Sequence, residues 1–233
     1  MTTRRKFLFN GSLAATALLA AKPFTSLANS ISPVTGYRIN NYNLVLAHTG
    51  NATAGAGNTP GQIAKLKSDH PNLLMLHAGD NEPATQLAYD ASIHSGTGNS
   101  VAANDYKIIY KGDIKTGVIT AGEHSASIES INTLAAYLKK EKNCHLVVCL
   151  SQLGYRTANG INDLQLAALS THLDIIVGGH ADNFCTRSVI ARNKNKEEVI
   201  INYAANNSLA LRKIEIGFDN RGRKSQVAFT RSC

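Results

Sequence analysis

The chain has 233 residues, of which 43% are hydrophobic and 17% charged, enough apolar side chains for one domain with a core of ordinary size. Its formal net charge is +8, but the first 28 residues hold four of the 24 basic residues (Arg4, Arg5, Lys6, Lys22) and no acidic ones, so the remainder, with its 16 acidic residues, carries only +4. That excess is too small to argue for a nucleic-acid partner.

In chain order, the first element is the leader. "TRRKFLF" places paired arginines ahead of the apolar run "GSLAATALLAA", and "SLA" at residues 26–28 suits cleavage beside small side chains. This resembles a twin-arginine export signal, with periplasmic or otherwise exported location as the implied outcome. The alternative is a membrane anchor, but the apolar run is about half of the ~20 residues a span requires. No later segment reads as a span. Residues 29–233 are therefore expected to form the domain.

"YNLVLAHT" reads as a strand, followed by a glycine-rich loop and the helical pattern "GQIAKLKSDH". "NLLMLHAGD" is a second strand, and "DYKIIYKGDIKTGVITA" a hairpin turning at "KGD". "SIESINTLAAYLKKEK" is the clearest helix, with Ile128, Ile131, Leu134, Ala135 and Leu138 on one face and lysines at its end. A strand "HLVVCLSQ", a helix "INDLQLAALSTH" and a strand "LDIIVGG" follow; "EEVIINYAA" and "LALRKIEIGFD" are further β segments, and "RGRK" at 221–224 reads as a solvated turn. Strands alternating with helices, then β segments, predict a layered α/β domain. Of the four cysteines, Cys144 and Cys149 fall on one expected strand and cannot join each other. After export, Cys149 with Cys185 is the pairing left open.

Chemistry in layered α/β proteins collects at the carboxyl ends of strands. Those ends read "AHTGNATAG", "LHAGDN", "CLSQLG" and "VGGHADN". In order, spacing and flanking residues they resemble the calcineurin-like metallophosphoesterases, specifically the catalytic domain of the 5'-nucleotidase family. That family reads HTND-x-H, GD, GNHE, LSH-x-G and GGH-x-H, and the likeness covers most of residues 42–216. It implies a layered β-sandwich flanked by helices with two metal ions at the strand ends. Two cations ~3.5–4 Å apart clamp a phosphate and lower the pKa of a bridging water that attacks phosphorus.

Carried over residue by residue, the family's ligand set is incomplete. The bridging aspartate is kept as Asp80 and the first histidine of GGH-x-H as His180, whereas Asp182 replaces the second histidine. Asn51, Thr53 and Gln152 stand where the family has Asp, His and His, and the GNHE block has no counterpart, although His94 and Asn99 lie nearby. Neutral oxygens do not offset the repulsion between two close divalent ions as carboxylates do. The resemblance thus leaves Asp80, His180 and Asp182 as metal candidates, with Asn51 and Gln152 as weaker ones. The expectation is no tightly bound metal, the alternative one divalent ion (Mn, Zn or Mg). Tyr155 and Phe184 flank the strand ends as candidates for stacking on a base, and His77 reads as a hydrogen-bonding neighbour of Asp80.

Two other motifs compete. "AGAGNTPG" after a strand suggests a dinucleotide loop, but its third glycine is out of register and Pro60 stands where the helix should begin. Ser151 lacks the preceding glycine of a nucleophile elbow. The sequence is therefore expected to encode an exported protein of hydrolase lineage whose metal centre has eroded. It would bind a phosphate-bearing small molecule, and base recognition for a nucleotide would come either from this domain or from a separate chain supplying the family's substrate-binding domain. A working phosphohydrolase with an altered or single-metal site, and a structural subunit of a cell-envelope assembly, are the alternatives.

Overall fold

The computed structural model describes residues 43–49, 60–79, 89–93, 101–102, 105–122, 127–157, 160–179, 187–203 and 211–231, all within the compact unit Ile39–Cys233. The strands are β1 (Asn43–Thr49), β2 (Leu73–His77), β3 (Ala91–Ser92), β4 (Tyr106–Lys111), β5 (Ile114–Ala121), β6 (Leu146–Ser151), β7 (Ile175–Gly178), β8 (Val189–Arg192), β9 (Glu198–Tyr203), β10 (Arg212–Phe218) and β11 (Lys224–Arg231). The helices are α1 (Pro60–Asp69), α2 (Ile128–Lys140) and α3 (Asp163–Leu169). A five-stranded sheet runs β11-β10-β1-β2-β3 and a six-stranded sheet β4-β5-β6-β7-β9-β8. β1, β2 and β3 are mutually parallel, as are β5, β6, β7 and β9; antiparallel hairpins form three of the four sheet edges and the short β3 the fourth.

Strands such as "LLML" and "LVVCL" are apolar throughout because both of their faces are covered. In β6, Leu146, Val148 and Leu150 point into the layer between the sheets, where they join Leu44, Leu46, Leu74, Leu76, Ile214 and Ile216 of the other sheet. Val147 and Cys149 point outward, onto Ile131, Ala135 and Leu138 of α2 and Leu166 and Ala167 of α3. On the far side, Val45, Ala47, Leu73 and Met75 pack against Ile63 and Leu66 of α1. The result is the expected sandwich of two sheets with helices on its outer faces.

Local sequence sets the helix limits. Ser127 caps α2 by accepting from the Ser130 amide, Glu129 lies in its first turn, and Lys139 and Lys140 lie in its last, each charge opposing the nearer helix-dipole end. α3 has seven residues, too few to stand alone. A capping box holds it: the Asn162 side chain accepts from the Gln165 amide at 3.0 Å, and the Gln165 side chain accepts from the Asn162 amide at 3.2 Å.

Four expectations need correcting. Pro60 opens α1, where a fixed φ and a missing N–H cost nothing, so it does not block a helix there. Cys144 precedes β6, which begins at Leu146. "RGRK" is only partly a turn: Asp219 accepts from the backbone of Arg221 and Arg223 and from the Arg223 guanidinium, while Lys224 begins β11. β8 and β11 were not expected as strands. Cys149 is buried without a disulfide, and burial beside Asp163 pushes its thiol pKa well up; Cys185 lies outside the described residues.

Candidate functional site

The carboxyl ends of the core strands converge. Thr49 ends β1 in register with His77 at the end of β2; in the other sheet Ser151 of β6 faces Gly178 of β7, which faces Tyr203 of β9. The two sheets meet here backbone to backbone. A Cβ added to Gly179 would lie 1.6 Å from the Ala78 carbonyl oxygen and 2.7 Å from the Gly79 nitrogen. One added to Gly178 would lie 2.1 Å from Cζ of Tyr203, so the tyrosine ring rests directly on that glycine. The paired glycines of "VGGH" are therefore required by close approach on two sides.

Asp80 and His180 are the residues after Gly79 and Gly179 in the chain, but they, Asp182, Asn51, Thr53, His94, Asn99 and Phe184 lie outside the described residues. Gln152 follows β6, half-buried, its backbone N–H donating to the Ala121 carbonyl at 2.9 Å. Tyr155 is half-buried and packed on two sides: its ring meets Tyr203 edge-on at 6.3 Å, and the Arg156 guanidinium lies 5.4 Å over it. That packing competes with the base-stacking role.

The described polar side chains at these strand ends bond to one another. His48 of β1, fully buried, donates from Nε2 to Asn202 Oδ1 of β9 at 2.7 Å, and the Asn202 amide donates to Ser188 Oγ at 2.6 Å. Thr49 Oγ1 is hydrogen-bonded to His77 Nδ1 at 2.9 Å and to the Tyr89 hydroxyl at 2.8 Å. Ser151 Oγ donates to Asp163 Oδ1 at 2.5 Å and accepts from the Leu153 amide, and the Tyr203 hydroxyl donates to Asp163 Oδ2. Asp163 is itself fully buried, at the first turn of α3. Burial lowers the His48 pKa to about 4, with Arg212 and His77 acting in the same direction and the Asn202 bond opposing them. Burial likewise raises that of Tyr89, against the Thr49 bond.

Among the described residues no group of three or more His, Cys, Asp or Glu side chains is placed to hold a metal ion. His77, expected beside Asp80, has its Nδ1 on Thr49. The described part of the site thus does not by itself fit a metal centre. His48, Asp163, Asn202 and Tyr203 were missed in the sequence. Asn202 carried a usable signal: a polar side chain inside the apolar run "EVIINY" of a strand buried on both faces needs a partner.

No protein-family model matches the chain, and no curated protein matches it. Solved structures do. A 5'-nucleotidase precursor from Thermus thermophilus is 19% identical with a TM-score of 0.63, aligned over 82% of this chain and 54% of its own. The NAD nucleotidase of Haemophilus influenzae is 15% identical with a TM-score of 0.64, over 81% of this chain and 55% of its own. A Thermus thermophilus sulfate thiohydrolase is 14% identical with a TM-score of 0.56, over 73% of this chain and 40% of its own. The chain spans about half the length of the two nucleotidases. Its two helix-flanked sheets are those of the metallophosphoesterase fold that these 5'-nucleotidase structures carry.

Proposed function

We propose that this chain is an exported binding protein on the 5'-nucleotidase-type metallophosphoesterase fold, which holds a phosphate-bearing small molecule and does not hydrolyse it. The observation supporting this is the inward turn of the strand-end polar groups: His48, Thr49, His77, Ser151, Asp163 and Tyr203 are tied to other protein groups. Neutral Asn51, Thr53 and Gln152 at the family's ligand positions point the same way.

The test is a pair of measurements on the purified chain. Melting temperature is expected to be unchanged by chelator or by manganese, since only a ligand of the folded state adds stability, and to rise with AMP or inorganic phosphate. Hydrolysis of AMP and p-nitrophenyl phosphate with manganese should match buffer. Turnover that Asp80→Ala abolishes would instead establish the rival reading, a hydrolase with one divalent ion at Asp80, His180 and Asp182. The backbone contact of Gly179 with Ala78 and Gly79, one residue short of two of those side chains, favours that rival.

Export has its own test. Arg4→Lys with Arg5→Lys should hold the precursor in the cytoplasm, and an unchanged periplasmic yield would rule out the twin-arginine route.

A further inference from the structure

We infer that His48 and Asn202 form an acid-released latch that ties the two sheets together beside the strand ends of the candidate site. His48 belongs to the five-stranded sheet and Asn202 to the six-stranded one, and their 2.7 Å bond is a side-chain bridge between the layers. The imidazole is fully buried, and its Nδ1 has no hydrogen-bond partner among the described residues. With Nε2 donating to Asn202 Oδ1, Nδ1 holds the lone pair, so the closed latch is the neutral tautomer. Protonation would put an N–H donor at Nδ1 and a charge in a place with no described anion to receive it. β10 contributes Arg212, in register with His48, and β2 contributes His77 and the apolar Leu76; β9 and the residue before β8 contribute only neutral Asn202 and Ser188. Arg212, the described titratable neighbour in register with the ring, is cationic, and His77, on the opposite face of the sheet beside Thr49, acts on it only through charge.

The proton consequently goes to the open form first. Above the ordinary histidine pKa both forms are neutral and the latch is at full strength. As pH falls from about 6.5 toward about 4 the open ring protonates while the closed ring does not, and closure weakens. Below about 4 both forms are protonated and the loss levels off.

Amide hydrogen exchange on the full chain, corrected for intrinsic rates, tests it. Between pH 6.5 and pH 4 the protection of residues 43–49 and 198–203 should fall by roughly a hundredfold, while α2 keeps its protection. His48→Gln, a neutral donor at both pH values, should lose that acid dependence. Asn202→Asp, which offers the imidazolium a carboxylate, should stay closed at acid pH. A parallel fall in α2 would mean general acid unfolding and overturn the latch, as would an undiminished acid effect in His48→Gln. If either variant fails to fold, the His48 ring resonances of the unaltered chain decide: a midpoint near 4 supports the latch and one near 6.5 refutes it.

Discussion

Gly179→Ala is expected to be the most damaging single methyl group in the described structure. Its Cβ would fall 1.6 Å from the Ala78 carbonyl oxygen, and the obstacle is backbone at the junction of two sheets, not a side chain able to swing aside. Overpacking a core costs about 1–3 kcal/mol and occasionally more; a clash that must part the sheets belongs at or above the upper end. Because such domains hold only about 5–15 kcal/mol in total, the variant should unfold at far lower urea or be recovered insoluble. Gly160→Ala is the control. Gly160 has φ +79° and nothing within 4 Å of an added Cβ, so only the left-handed backbone is penalised, by about 1–2 kcal/mol. Equal urea midpoints for the two variants would show that the junction at Gly179 is not as close as described.

Asp163→Ala should cost about 3–5 kcal/mol, because it takes the acceptor away from two buried hydroxyl donors, Ser151 Oγ and Tyr203 Oη, at about 1–3 kcal/mol each and removes a first-turn carboxylate from α3. Asp163→Asn keeps one acceptor oxygen, and the hydroxyl facing the new amide can turn to accept from it. It should therefore lose less than half as much. Urea denaturation of the three proteins measures both values. An alanine variant within about 1 kcal/mol of the parent chain would mean that water or another group satisfies those hydroxyls, and that the network does not fix the ends of β6 and β9.

The central strands and α2 were legible because their signals are local: apolar runs of strand length, a helical stripe through Ile131, Ala135 and Leu138, and a serine cap. β8 and β11 were not. "VIAR" is four residues long, and "KSQVAFTR" places Ser225, Gln226, Ala228 and Phe229 at an exposed sheet edge. Neither alternates sharply, and each is a strand because a hairpin partner is available: β9 for the first and β10 for the second. The strand-end motifs located the region of the candidate site, but the partners within it are remote in sequence. His48 and Asn202 are 154 positions apart, and Asp163 and Tyr203 are 40 apart. No spacing rule reaches that far.

The position of β1 between β2 and β10 governs the order in which the molecule can be assembled. Asn43 pairs with Gly217, so the earliest of the described strands must wait for one of the latest described before its second edge is covered. The six-stranded sheet grows from neighbours: β5, α2, β6, α3 and β7 follow one another directly. Low sequence separation favours its early formation. A chain halted on the ribosome before Arg212 would present the bare edge of β1, apolar from Leu44 to Ala47, to any strand it meets. Synthesis of the carboxyl-terminal hairpin is thus the step that ends the period of exposure to aggregation, and truncations there should be far less tolerated than the peripheral place of β11 suggests.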